Sequence, residues 1–262
     1  MKLNPNLKKK KLIVFDLDGT LTESKTSLTP AMSVLLVRLL ATRRVAIIGG
    51  GRYQQFQKQF LRVFKCPKSL LANLFLFPTT STAFYRYRKE WVQVYNHQLT
   101  KAQRSKIIRS IKQALKDVQF VSPTRVYGKT IEDRGTQVSY SALGQDTVKV
   151  LGTKKGVKAK AEWGALPWRK KIAERLEKLL PEFEVHRGGL STIDVTQKGI
   201  DKAYGVRQIS RRLKVPIKDM MFVGDALYPG GNDFAAKKTG VQCLQVSGPK
   251  DTARIISFLL KG

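Results

Sequence analysis

Two segments of this chain gather acidic residues where a strand should end. In Asp16-Leu17-Asp18-Gly19-Thr20 the two aspartates stand two apart, directly after the apolar run Lys11 to Phe15. At the end of a strand side chains at i and i+2 project to one side, so both carboxylates can face one reacting atom. Like charges that close repel, and a bound Mg²⁺ with oxygen ligands is the natural means of holding both ionised; the same ion also takes phosphate oxygens. The second segment, GDALYPGGND from Gly224 to Asp233, follows another apolar run, Met220 to Val223. Asp225 could complete the cation shell there, while Gly230 and Gly231 allow a turn sharp enough to return Asn232 and Asp233 toward it.

Both loops need a scaffold, and the apolar patterning predicts an α/β one. Lys11 to Phe15 reads as a buried strand, Pro30 to Leu40 as a helix with Thr29 as N-cap and Pro30 in its first position, and Arg44 to Ile48 as a second strand ending in Gly49, Gly50 and Gly51. Tyr53 to Phe64 has helical spacing before Pro67 interrupts it, and Leu74 to Phe77 reads as a third strand. Alternation of this kind specifies a doubly wound, mostly parallel sheet with its ligand site at the carboxyl ends of the strands. From Thr82 the pattern changes to a hairpin (Ala83 to Tyr87, Trp91 to Tyr95), a helix from Lys101 to Lys116, strands near Gln137 to Ala142 and Glu182 to Val185, and a helix from Trp168 to Leu180 between them. Gly152 to Trp163, rich in Lys and Gly without apolar period, reads as a mobile loop. The expected organisation is a core over residues 1–81 and 188–262, with an inserted α+β cap over 82–187. A helix at Lys202 to Leu213, strands at Met220 to Val223 and Val241 to Val246, and a closing helix from Asp251 complete the core.

Composition narrows the classes. The longest apolar stretches, Ser33 to Leu40 and Leu70 to Phe77, fall far short of the roughly 20 residues of a membrane-spanning helix. Met1 to Lys11 lacks the apolar segment of a signal peptide, so the expectation is a cytoplasmic protein without membrane insertion. Cys66 and Cys243, far apart and without a paired histidine, indicate two reduced thiols rather than a disulfide framework or a zinc site. The outstanding feature is charge: 49 Lys and Arg against 19 Asp and Glu, a formal +30, with no acidic residue between Ser24 and Lys89. Such a field attracts anions of every kind, from phosphorylated metabolites to nucleic acid, and non-specific polyanion binding is expected of it. GGGR at Gly49 to Arg52 is not a P-loop, for no G-x-x-x-x-G-K-[ST] occurs.

Four segments in order, FDLDGTL around Asp16, IIGGGR, GIDKAYG around Lys202 and GDALYPGGND around Asp225, resemble the haloacid dehalogenase superfamily, in its subclass with an α/β cap inserted after the third strand. Within that subclass EDRGTQVSYSALG, GGLSTIDV and the GGND loop most resemble phosphomannomutases of the eukaryotic type. The resemblance implies a Rossmannoid core and a two-step displacement in which Asp16 attacks phosphorus to form an aspartyl phosphate. It makes Asp18 the general acid and then base, and assigns Mg²⁺ to the Asp16 carboxylate, the Asp18 main-chain carbonyl and Asp225. It further implies that Lys202 neutralises nucleophile and phosphate, that Arg134 grips a distal phosphate, and that Thr192 and Asp194 contact sugar hydroxyls.

The chain also departs from that pattern. Gly49 to Gly51 offer no hydroxyl to the phosphate, which leaves the backbone N–H groups of Gly50 and Gly51, aided by the positive end of the following helix. Gln145 stands where the mutases place a further arginine, and glutamine lacks the bidentate fork that holds a second phosphate. Three readings follow: a Mg²⁺-dependent phosphatase acting on a small phosphorylated substrate such as a sugar phosphate; a phosphomannomutase-like phosphohexose mutase; and a basic nucleic-acid-binding protein on the same scaffold. The identity of the sugar and the oligomeric state are left open by the sequence.

Overall fold

The computed structural model describes residues 3–261; Met1 and Lys2, the start of the basic N-terminal stretch, and Gly262 lie outside them. In chain order the elements are β1 (Leu12–Asp16), α1 (Pro30–Leu40), β2 (Arg44–Ile48), α2 (Tyr53–Phe56), α3 (Lys68–Leu71), β3 (Leu74–Phe77), the short turn α4 (Pro78–Ser81), β4 (Ala83–Arg88) and β5 (Glu90–Asn96). They continue with α5 (Lys101–Asp117), β6 (Ile131–Asp133), β7 (Val138–Ser141), α6 (Thr147–Leu151), α7 (Thr153–Ala165), α8 (Pro167–Leu179), β8 (Phe183–Gly188) and β9 (Thr192–Gln197). The chain closes with α9 (Lys202–Leu213), β10 (Met220–Gly224), β11 (Gln242–Gln245) and α10 (Pro249–Leu259).

Two compact units result, one running to Asn96 and resuming at Asp201, the other spanning His97–Ile200. The first holds a seven-stranded sheet in the order β11-β10-β1-β2-β3-β4-β5, parallel from β11 to β3. Its central strands are apolar except for Arg44 at the start of β2 and Asp16 at the end of β1, because both faces are covered. Ile13, Phe15, Val45, Ile47, Met221 and Val223 enter one core with α1 and α10, whereas Leu12, Val14, Ala46, Ile48, Met220 and Phe222 enter the other with α9. Thr29 caps α1 as expected, its hydroxyl accepting from the Met32 N–H, and Asp201 caps α9 through the Tyr204 N–H at 2.7 Å. The parallel register fixes what matters for the site: Phe15 pairs with Val223, so Asp16 and Gly224 leave neighbouring strands at the same carboxyl edge.

The second unit is a four-stranded antiparallel sheet, β6-β7-β9-β8, packed on α5 and α8. Its core takes Ile107, Ile111 and Ala114 from α5, Ile172 and Leu176 from α8, and Val138, Ile193 and Val195 from the strands. Thr100 and Gln103 close a reciprocal capping box at the start of α5.

Two expectations are corrected. The division falls at 97 and 200, not at 82 and 188. The hairpin β4–β5 extends the parallel sheet, with Leu76 opposite Tyr85 and Phe77 stacked on Phe84 at 4.4 Å; β3 would otherwise present an unpaired edge. At the other boundary β9 pairs with β7 and β8 with β9 in the second unit, because an apolar strand carries no label of the sheet it will join. Finally, Gly152 to Trp163 is not a loop but most of α7, which turns Gly156 and Lys160 inward while its remaining lysines stay at least partly solvated.

Candidate active site

The carboxyl ends of β1 and β10 and the first turn of α9 build one charged cluster. Asp16 is the last residue of β1 and is 4% exposed; Lys202 is the first of α9 and 1% exposed; Asp233, on the loop after β10, is fully buried. The Lys202 ammonium donates to Asp16 Oδ1 and to Asp233 Oδ1, and the other Asp233 oxygen accepts the Ala226 N–H at 3.0 Å. Asp16, Asp225 and Asp233 each offer a carboxylate oxygen within 4.8 Å of the others. Thr20 donates its hydroxyl to Asp225 Oδ1 at 3.4 Å. Gly19, at φ +88°, allows that approach: a Cβ there would lie 2.5 Å from Asp225 Oδ2.

Three carboxylates against one ammonium leave a formal charge of −2 in a largely buried site. Hard oxygen donors with that residual charge fit a divalent cation of the Mg²⁺ type. Without one, burial pushes the Asp16 carboxyl well above the usual range; Lys202 opposes this, while Asp233 and Asp225 add to it. Burial and the charge of Asp233 likewise push Asp225 up to about 6, against the pull of Lys202. Burial works against the Lys202 ammonium too, but Asp16 and Asp233 outweigh it and raise the group above an ordinary lysine, so it stays charged.

Asp18 is placed differently from its expectation. β1 ends at Asp16, and the chain turns at once, with the N–H groups of Leu21 and Thr22 both bonded to Leu17 O. The i, i+2 rule therefore does not carry across. The Asp18 carboxylate accepts from the Lys25 N–H at 2.6 Å, from Gln59 Nε2 at 2.7 Å and from Gln55 Nε2 at 3.5 Å, and Asp233 takes the place in the acidic cluster that spacing had suggested for it. Gly49 to Gly51 follow β2, and their carbonyls receive the N–H groups of Thr79 and Thr80. The helix after this turn, α2, passes without a break into a π-type stretch over Gln57–Leu61. That helical run begins just after Gly51, so its amino end lies next to the backbone N–H groups of Gly50 and Gly51.

In the second unit Arg134, its side chain 6% exposed, lies beside Asp194, with Nη1 4.0 Å from Oδ1. Glu132 holds Arg134 at 2.8 Å, and Gln145 Oε1 accepts from Arg134 Nη2 at 3.4 Å. Asp194 also accepts the Ser139 hydroxyl, and the Thr192 hydroxyl donates to Gly188 O at 2.6 Å. Arg134 and Asp194 therefore come together as a pair, with Thr192 one pleat away on β9.

The sequence profile of the haloacid dehalogenase-like hydrolases matches residues 13–234. The chain belongs to that family. It is 26% identical over 264 residues to a probable phosphomannomutase of Caenorhabditis elegans, covering 95% of each chain, and 27% identical over 258 residues to a phosphomannomutase of Drosophila melanogaster, again covering 95% of each. Among solved structures, the IMP-bound, N-terminally truncated IMP-nucleotidase of Plasmodium falciparum matches with a TM-score of 0.71 at 16% identity, over 96% of this chain and 68% of that one. A trehalose-6-phosphate phosphatase related protein matches with a TM-score of 0.56 at 14% identity, over 95% and 96%. At those identities the structures speak for the fold. Family and relatives together make the chain a phosphoryl-transfer enzyme.

Within this family member, sequence reasoning had placed Asn232 and Asp233 together as support for the metal loop. The structure separates them: Asp233 is a buried partner of Lys202, and Asn232 precedes it half-exposed. Thr20, Gln55 and Gln59 were missed. The two glutamines stand four apart just after the glycine turn, a spacing that puts them on one helical face but names no partner. Among the described residues no helix is long and apolar enough to cross a membrane, and both cysteines are free.

Proposed function

We propose that this enzyme is a Mg²⁺-dependent phosphatase of small phosphorylated molecules, a sugar phosphate foremost, working through a phosphoaspartate at Asp16. The observation that carries the reading is the position of Asp16: it ends a central strand, is buried, ion-paired to Lys202, and shares its surroundings with Asp225 and Asp233. An Asp16 oxygen attacks phosphorus, the bond to the leaving oxygen breaks, and water then displaces phosphate from the aspartyl ester. Lys202 offsets charge on Asp16 and on the phosphoryl oxygens throughout. Asp16, Asp225 and the Asp18 main-chain carbonyl, with Asp233 beside them, are the residues that would hold Mg²⁺, which supplies positive charge to the phosphoryl oxygens. Asp18 serves as proton donor and acceptor, which requires its carboxylate to leave Gln55 and Gln59. Backbone N–H groups of Gly50 and Gly51 add phosphate contacts. In the second unit Arg134 offers a guanidinium to a further anionic group, and Asp194 and Thr192 suit hydroxyls. A reduced, cytoplasmic setting agrees with two free thiols.

A second reading, phosphohexose mutase, is favoured by the names of the relatives, which are phosphomannomutases along nearly the whole chain. Phosphate release and isomer interconversion from a panel of sugar monophosphates, with Mg²⁺ and with chelator, test both. Expected are Mg²⁺-dependent release and a loss of about 10³-fold or more in Asp16→Asn. Comparable turnover in wild type and Asp16→Asn would sink the aspartyl-phosphate reading, and interconversion outpacing release would select the mutase.

A further inference from the structure

The amino ends of the parallel strands, in the unit that holds Asp16, carry a groove of about 740 Å³. Lys8, Lys9, Lys10, Arg43, Arg44 and Lys214 line it. Lys11 lines it too, but is ion-paired at 3.0 Å with Asp219, the one acidic side chain of the lining among the described residues. The other six have no carboxylate partner within 4 Å among the described residues. Where they bond at all it is mainly to carbonyls: Lys10 to Lys218 O at 2.6 Å, Arg43 to Lys8 O at 3.0 Å, Arg44 to Leu213 O at 2.9 Å. A carbonyl orients a cation without cancelling its charge.

The backbone that carries the N-terminal lysines is also held in place. Pro5–Lys9 form a 3₁₀ turn capped by Asn4, Leu7 is buried in the core beneath it, and the Lys11 N–H bonds to Asp219 O at 2.8 Å. Ordering the cations in advance lowers the entropy lost on binding an anion. β1 separates this groove from Asp16; five residues at about 3.3 Å each put roughly 15 Å between them, so the catalytic phosphate cannot be its occupant.

We propose that this groove binds the phosphodiester backbone of a nucleic-acid duplex without reading its bases. Six cations in one cleft match a ligand that carries phosphates in series, and each phosphate neutralised releases counterions. No aromatic side chain lines the groove among the described residues, so stacking on unpaired bases is not provided for. A bilayer fits less well, because the exposed large apolar side chains that could enter it, such as Val34, Val121, Val150, Leu166 and Tyr228, all lie outside the lining.

The test is fluorescence anisotropy of a labelled DNA duplex with the full chain, over about 0.05–0.2 M salt. Lys9→Gln/Lys214→Gln removes two groove cations; Lys112→Gln/Lys178→Gln removes the same charge from exposed positions on α5 and α8. Two lost phosphate contacts should weaken binding by about 60-fold at about 0.1 M salt and flatten the log–log slope by about 2, whereas the second pair should stay near wild type. Thermal melting and phosphate release should be unchanged in both pairs; if the groove pair melts early, Lys9→Gln alone should still weaken binding by about eightfold. Equal weakening by the two pairs would mean a diffuse field and overturn the site. So would the absence of salt-dependent duplex binding, or groove-dependent capture by phosphatidylserine vesicles in place of duplex.

Discussion

At Asp16 burial and charge oppose one another. A carboxyl cut off from water resists ionisation, yet the nucleophilic role proposed for Asp16 requires its charge, and the neighbouring Asp225 and Asp233 add to that resistance. Lys202, held between Asp16 and Asp233, favours the ionised form of Asp16, and a divalent cation drawn by the residual −2 would add to that effect. Gln145 poses the comparable question in the second unit. It accepts one hydrogen bond from Arg134, where an arginine would add a second guanidinium able to take a phosphate in two bonds. Gln145→Arg is therefore expected to raise isomer interconversion relative to phosphate release by about tenfold, the worth of one charge-assisted contact. The product ratio on a hexose phosphate, measured with a bisphosphorylated hexose as activator, checks it; an unchanged ratio would remove Gln145 from the account of specificity.

At the scale of elements, α7 shows why composition misleads. Thr153 to Ala165 holds four lysines and two glycines and has little apolar period, yet it forms a helix, which approaches α6 closely at Gly156. A Cβ there would sit 2.6 Å from Val148 Cα and 3.0 Å from Thr147 O, both backbone atoms unable to step aside. Gly156→Ala would favour an isolated helix by about 1 kcal/mol, but overpacking against backbone costs about 1–3 kcal/mol. The variant should thus lower the denaturation midpoint rather than raise it, measured by urea unfolding followed by circular dichroism; a gain in stability would show that α7 shifts freely. The hairpin β4–β5 teaches the complementary lesson. Its existence was legible from alternation, but its allegiance to the parallel sheet depends on the edge that β3 offers.

For the molecule as a whole the surplus of thirty positive charges is a standing repulsion, and exposed ion pairs such as Lys106–Glu182 do little to offset it. Stability should therefore rise with ionic strength, by a few degrees in Tm (~3–5 °C) between about 0.05 and 0.5 M NaCl, as screening shortens the reach of that repulsion. A Tm that falls with salt would mean attractive pairs dominate. The sequence by itself determined the α/β core, since strands apolar along nearly their whole length can only be buried on both faces, and it pointed to Asp16 and Asp225 as neighbours, one ending and the other directly following a strand of one sheet. Lys202 was one basic residue among 49 until resemblance singled it out. Only the tertiary structure decided that Asp233 joins Lys202 while Asp18 turns to Gln59, where the insertion begins and ends, and that Lys8, Arg43 and Lys214 share one groove. Local patterning records which side of an element is buried, whereas these outcomes depend on which distant segments the fold brings into contact, and no single stretch of chain encodes its neighbour.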